Sequence, residues 1–316
     1  MTKKIIIFLI VKWKLCLCIG RKGPFAVCES IANCPVLEMS GMKRYDIKVI
    51  GLDLDGTVFD DRKNISPRTI AAIQAAAQKG VAVLPATGRF LVGLPQSFVG
   101  LPGVQYALTS NGAVVTELAT GKKLVSQMLP DDTAAEIMRI LAGFSCAANA
   151  FIDDQGYASS AVYAQLNEWY GNTGLESYVR SFLHPELSPL GIVQAHLGHV
   201  EKISGIFHSV EERNRAAAAL SALPCEVCSS FPNNIEISAK GVDKGEGLLQ
   251  LARVLGWGPE NVMACGDSSN DLAMIQKAGL GVAMGNASED VKQAADYITL
   301  TNNEDGVAAA IEKFVL

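Results

Sequence analysis

No apolar run in this sequence approaches the roughly 20 residues that a membrane-spanning helix needs. Positive charge is in deficit as well: 27 Lys and Arg stand against 32 Asp and Glu, for a formal net charge of -5. That balance argues against non-specific nucleic-acid binding, which requires a basic face. No Gly-x-Gly-x-x-Gly follows the first predicted strand, which removes a dinucleotide-binding reading. Zinc-type spacings are missing too: Cys16, Cys18, Cys28 and Cys34 fit none of them. Cys225-Glu-Val-Cys228 is a lone pair that reads more simply as strand than as a metal or redox site. His196-x-x-His199 has no acidic or thiol partner near it in sequence. An even number of cysteines in so long a chain is weak ground for disulfides, and a reducing cytoplasm is the simplest compartment. There are no internal repeats and no low-complexity segments.

What is present is a chain of 316 residues, 49% apolar and 19% charged, enough for one large or two moderate domains with a sizeable core. Residues 1–43 look foreign to the rest of the chain. Met1-Thr-Lys-Lys and the run Ile5–Val11 mimic a charged segment and a short apolar segment, but Lys12-Trp13-Lys14 breaks the run and no clean cleavage site comes after it. An upstream extension, a weak signal anchor and an accessory segment compete here. We favour the extension, because the fold needs nothing before about residue 44.

From there an α/β rhythm sets in. Ile47–Leu52 is a buried strand by composition. Ser66-Pro67 starts a helix as N-cap and first-turn proline, and Gly80 closes it. Val81–Ala86 is the next strand; Pro85 cannot donate to a ladder, so the strand should end early or bulge there. A helix over about 90–99, a strand at Tyr106–Thr109 and a hairpin begun by Asn111-Gly112 come next. Residues 130–238 mix helices and strands differently and read as an α+β domain inserted into the first. The α/β rhythm resumes over 239–316, with a helix from Lys244, a strand at Asn261–Cys265 and a polar turn Gly266–Asp271. Asn286 should cap the helix that ends near Ala295. The expected fold is therefore α/β: a Rossmann-like, doubly wound parallel sheet built from 44–129 and 239–316, with a cap of 130–238.

Parallel α/β sheets put ligands at the carboxyl ends of their strands. Asp53-Leu-Asp-Gly-Thr57 ends the first strand with two carboxylates and a glycine that lets the chain turn. Taken alone, a solvated turn explains it as well as a catalytic centre does. Three further groups fall at strand ends or helix starts: Thr87-Gly88, Lys244, and Asp267 with Asn270 and Asp271. Acid, hydroxyl, cation and acid in that order supply the parts of phosphoryl transfer. A phosphate monoester is close to a dianion, so a carboxylate nucleophile approaches only if that charge is offset. Mg²⁺ held by Asp53, Asp267 and a backbone carbonyl would offset most of it. Lys244, the Thr87 hydroxyl and the Gly88 N–H would hold the remaining oxygens, at about 1.5–3 kcal/mol for each charged hydrogen bond. Asp53 would attack phosphorus, while Asp55 protonates the leaving oxygen and then activates water.

These four segments, Asp53–Thr57, Ala86-Thr-Gly-Arg89, Lys244-Gly245 and Gly266–Asp271, resemble the four motifs of the haloacid dehalogenase superfamily. The long insertion between the second and third looks like the Cof-like branch. The resemblance covers about residues 44–316. It implies a mobile α+β cap over a Rossmann-like core, and Mg²⁺ bound by Asp53, the Asp55 carbonyl and Asp267, with Asp271 behind them. It also implies that Asn270 contacts phosphate or orients Lys244, with Asn111 at the rim and Arg89 as a further substrate contact. The expected activity is a Mg²⁺-dependent phosphatase of small phosphorylated metabolites, most plausibly sugar phosphates. A phosphomutase and a non-catalytic metabolite-binding protein are the alternatives, and cap residues near Tyr157 or Trp169 are candidates for specificity.

Overall fold

The computed structural model describes residues 45–170, 175–186 and 188–316. The expected extension, residues 1–43, lies outside the described residues. The first five strands are β1 (Val49–Leu52), β2 (Ala82–Pro85), β3 (Tyr106–Thr109), β4 (Val114–Glu117) and β5 (Lys122–Ser126). Next come β6 (Cys146–Ile152), β7 (Gln155–Ser159), β8 (Leu183–Glu186), β9 (Val200–Phe207), β10 (Cys225–Cys228) and β11 (Asn234–Ala239). The last are β12 (Val262–Gly266), β13 (Leu280–Ala283) and β14 (Tyr297–Ile298).

β14-β13-β12-β1-β2 form a parallel sheet in that order. The chain runs outward from β1 to one side and returns to the other, so the sheet is doubly wound and its switch point lies at β1. Successive residues of β1 feed opposite layers. Ile50 and Leu52 join one apolar cluster, and Val49 joins the other with Leu248 and Leu251 of the helix Lys244–Val254. Covering both faces explains why β1 reads as a continuous apolar run rather than an alternating one.

Two local expectations need correction and a third is met in part: Pro85 ends β2, one residue short of the expected Ala86, with no bulge. Ala82 and Ala86 donate to Lys48 and Leu52 beside β1 (2.9 and 2.7 Å), so the missing N–H of Pro85, one residue out of phase, faces away from that ladder. The expected helix over 90–99 is instead a turn at Leu91–Gly93 and a short helix Gln96–Val99, because Pro95 disfavours helical backbone at the residue before it. Asn286 does not cap the next helix; its side chain donates to Gly56 O and accepts from Asn302 N–H, and Ser288 stands at the N-cap.

β3-β4-β5 make a small antiparallel sheet beside β2, and its first hairpin turns at Ser110–Gly112, all three residues at positive φ. The third sheet, β10-β11-β9-β6-β7-β8, lies wholly within residues 146–239. One of its faces is packed by Ile137, Leu141, Ile192 and Leu220, from the helices Asp131–Leu141, Pro189–Ala195 and Val210–Leu220. The other face carries Asn149, Lys202, Ser204 and Glu236 and is polar. Among the described residues no helix is long and apolar enough to cross a membrane.

Candidate active site

Asp53 leaves β1 at its carboxyl end, where its N–H donates to Cys265 O on the neighbouring β12 (3.0 Å). Its Oδ1 accepts from Lys244 Nζ at 2.7 Å, and the same ammonium donates to Asp271 Oδ1 at 2.6 Å. Lys244 is fully buried at the first position of its helix, which Asp243 caps by accepting from Glu246 N–H. Asp271 gives its other oxygen to the N–H groups of Asp267 and Ser268, both at 3.0 Å. With both oxygens engaged, Asp271 positions Lys244 and the polar turn. Thr57 donates to Asp267 Oδ1 at 2.9 Å and so fastens the first motif to the last. Gly56 sits at φ +86, and a Cβ there would lie 2.6 Å from the Asp267 carboxylate, so only glycine fits.

Asp53, Asp267 and Asp271 each offer a carboxylate oxygen within 4.8 Å of one another. One ammonium does not neutralise three carboxylates. Burial first, then the Asp271 charge, pushes Asp267 up to about 6. The same two causes raise Asp53 well above the usual carboxylate range, against the pull of Lys244. Lys244 is held above the usual lysine range, because Asp271 and Asp53 outweigh its burial. An all-oxygen donor set with excess negative charge fits a hard divalent cation. The Asp55 side chain lies apart from this set. It pairs with Arg89 at 2.8 Å and with Lys63 at 2.7 Å, and against burial these cations draw its carboxyl below the ordinary value.

The remaining predicted residues surround the same cavity, of about 840 Å³, or support its wall. Thr87 and Gly88 follow β2; Thr87 Oγ1 accepts from Arg89 N–H, and Thr87 O accepts from Asn111 N–H. Asn270 lines the cavity but is not among the hydrogen-bond partners of Lys244, and its buried Oδ1 finds no donor. Asn111 is buried, with Nδ2 donating to Glu236 Oε2 at 2.5 Å and to Cys228 Sγ at 3.4 Å. Glu236 in turn accepts from Lys202 Nζ at 2.7 Å, and Lys202 donates to Gly88 O at 2.5 Å. A Cβ on Gly88 would lie 2.8 Å from Glu236 Oε2. Despite its burial, Glu236 is drawn down to about 2 by Lys202, Ser230 and Asn111.

Lys63, Lys202 and Glu236 were not singled out in the sequence. The only trace of the last two is the alternation Lys202-Ile-Ser204 and Asn234-Ile-Glu236-Ile237, which marks a strand with one polar face. Of the cap residues near Tyr157 and Trp169 expected to set specificity, Tyr170 lines the cavity, while Tyr157 and Trp169 themselves do not. Tyr157 packs between His184 and His196, and Trp169 stacks on His208 at 4.0 Å. Cys225 and Cys228 lie on edge strand β10, three residues apart, and both are free thiols.

A family model described as haloacid dehalogenase-like hydrolase matches residues 50–311. The chain belongs to that family. Within it the chain falls in the Cof-like branch and is a phosphoric monoester hydrolase. This hydrolase is 35% identical over 271 residues to the 5-amino-6-(5-phospho-D-ribitylamino)uracil phosphatase YcsE of Bacillus subtilis, covering 86% of this chain and 97% of that one. It is 27% identical to the pyridoxal phosphate phosphatase YbhA of Escherichia coli, over 84% of this chain and 97% of that one. A solved haloacid dehalogenase-like hydrolase from Bacteroides thetaiotaomicron superposes with TM-score 0.70 at 28% identity, covering 84% of this chain and 99% of the other.

Proposed function

We propose that the chain is a Mg²⁺-dependent phosphatase of small phosphorylated metabolites of the sugar-phosphate kind, working through an aspartyl phosphate on Asp53. One observation carries the reading: at the carboxyl end of β1, Asp53 is joined to buried Lys244 and clustered with Asp267, facing a large cavity. Mg²⁺ would be held by Asp53, Asp267 and the Asp55 carbonyl with Asp271 behind them, and would supply positive charge against the phosphate dianion. Lys244, the Thr87 hydroxyl, the Gly88 N–H and Asn270 hold the phosphoryl oxygens. Asp53 attacks phosphorus. Asp55 is the acid for the leaving oxygen and then the base for water. Its pairing with Arg89 and Lys63 suits that change of role. Both cations line the cavity, so an entering phosphate competes for them and frees the Asp55 carboxyl to take up a proton.

The core is 44–129 with 239–316, and 130–238 is the cap that selects the ester. The named substrate of the Bacillus subtilis relative carries a phosphoribityl chain, which supports a hydroxylated leaving group here. Free thiols at Cys146, Cys225, Cys228 and Cys265 support a cytoplasmic setting. A panel of phosphorylated metabolites assayed with Mg²⁺ and with chelator tests the reading. Free phosphate released only with the ion is expected. Turnover that persists under chelation, or that requires a bisphosphate activator and releases no phosphate, would contradict it.

A further inference from the structure

The hairpin turn Ser110–Gly112 is strained. Ser110 and Asn111 stand at φ +51 and +56, a region that side chains seldom enter, and Gly112 follows at φ +98. Such backbone persists only where its surroundings over-determine it. On one side the turn makes two backbone hydrogen bonds. Ser110 N–H donates to Arg89 O at 2.8 Å and Asn111 N–H donates to Thr87 O at 3.1 Å, so both ends of the loop Thr87-Gly88-Arg89 hang from it. On its other side the turn abuts the start of the helix Lys244–Val254. A Cβ on Gly112 would lie 2.2 Å from Asp243 O, and one on Gly247 would lie 2.7 Å from Gly112 Cα. With no side chain between them, the place of the turn fixes both the Thr87 loop and the helix start that carries Lys244.

The side chains that hold this turn come from a different sheet. Glu236 of β11 accepts from Asn111 Nδ2, and Glu201 of β9 accepts from Ser110 Oγ at 2.7 Å. Glu201 reaches Ser110 because β9 bulges there. Phe151 faces Lys202 and Ile152 faces Val200, which leaves Glu201 as the extra residue of the ladder. Two consecutive residues, Glu201 and Lys202, therefore both reach loops of the core, where a regular strand would send them to opposite faces. Glu201 is fully buried and firmly held: its Oε1 accepts from Lys123 Nζ at 3.2 Å and from Asp154 N–H at 3.1 Å. Lys123 is held in turn by Asp153 and Asp154. Neither Glu201 nor Ser110 lines the cavity that Asp53 faces, so any effect on the reaction passes through the turn.

We infer that Glu201 and Ser110 are positioning residues for the phosphoryl group: the carboxylate of β9 pins the strained turn, and the turn sets the Thr87 loop and the start of the Lys244 helix. The inference rests on the phosphatase reading above, which gives the Thr87 hydroxyl, the Gly88 N–H and Lys244 to the phosphoryl oxygens. A displacement of about 1 Å in such groups costs on the order of 100-fold in rate.

Orthovanadate, a mimic of the five-coordinate phosphoryl group, tests this as a competitive inhibitor at saturating Mg²⁺. Its Ki does not depend on the alcohol of the substrate or on the folded fraction of a preparation. Ser110→Gly removes the hydroxyl and accepts φ +51 without strain. It should raise the vanadate Ki by at least about 10-fold and lower kcat/KM by a common factor for p-nitrophenyl phosphate and ribose 5-phosphate. Glu201→Leu should act in the same way, and Glu201→Gln, which keeps an oxygen for Ser110, should recover most of the loss. If Glu201→Leu fails to fold, Ser110→Gly decides alone. A wild-type Ki in Ser110→Gly, or a loss confined to one of the two esters, would overturn the positioning role and leave the phosphatase reading standing. A wild type that turns over neither ester and ignores vanadate, with Asp53→Asn indistinguishable from it, would overturn the phosphatase reading itself.

Discussion

Asp53 has a raised proton affinity for the reason that makes it useful. Burial and the neighbouring Asp271 charge both disfavour its anion, and Lys244 alone does not compensate. A cation at the cluster of Asp53, Asp267 and Asp271 would remove that conflict. Gly56 shows how little room the arrangement leaves. Gly56→Ala puts a methyl group 2.6 Å from Asp267 and forces a side chain into φ +86. We expect a loss of about 1–3 kcal/mol in urea denaturation. Weaker Mg²⁺ binding in a direct titration should accompany it. Asp53, Asp55, Lys244 and Asp267 were legible in the sequence because each stands at a strand end or helix start, where an α/β sheet places ligands. Lys63 was not legible: nothing local to it reveals that a left-handed turn, at φ +62, brings its ammonium to Asp55.

At the level of elements, strands β9 and β11 carry a buried ion pair that reaches residues outside their sheet, and Glu201 of β9 separately accepts from Ser110 and Lys123. Lys202 and Glu236 bond each other while reaching Gly88 and Asn111, two residues of the loops that follow β2 and β3. Removing one partner strands the other: Lys202→Met should cost about 3–5 kcal/mol by urea denaturation, with Lys202→Met/Glu236→Gln recovering most of it. The pH dependence comes from the sign of the shift. Glu236 sits at about 2, below its ordinary 4.5, so its pairing stabilises the fold above that ordinary value. The contribution is lost as pH falls from 4.5 toward 2. In Lys202→Met this part of the acid destabilisation should shrink, as read from melting temperature against pH. The period of two in β9 and β11 is visible in the sequence. Whether their polar face meets water or a cavity depends on which loops pack opposite, and no local pattern carries that. The helix expected over 90–99 failed for a local reason, Pro95, that the sequence did display.

Across the whole molecule, net charge is negative while the cavity gathers Lys63, Arg89 and Lys202, with Lys244 behind Asp53. Attraction of a phosphate is thus local rather than a property of the overall field. Because the acidic cluster of Asp53, Asp267 and Asp271 joins the first motif to the last, a Mg²⁺ ion held there should stabilise the folded chain. At 100 times its Kd the gain is about 2.7 kcal/mol, visible as a higher melting temperature with the ion than with chelator. Asp267→Asn should abolish that shift; an unchanged shift would place the ion elsewhere. The central claim is covalent: phosphorus passes onto Asp53. Enzyme turning over a metabolite phosphate, quenched in acid and reduced with borohydride, should yield homoserine at position 53 by peptide mass spectrometry. Asp53→Asn should give neither the product nor turnover. Full turnover with no homoserine at that position, or its appearance at Asp55 or Asp267 instead, would contradict the account.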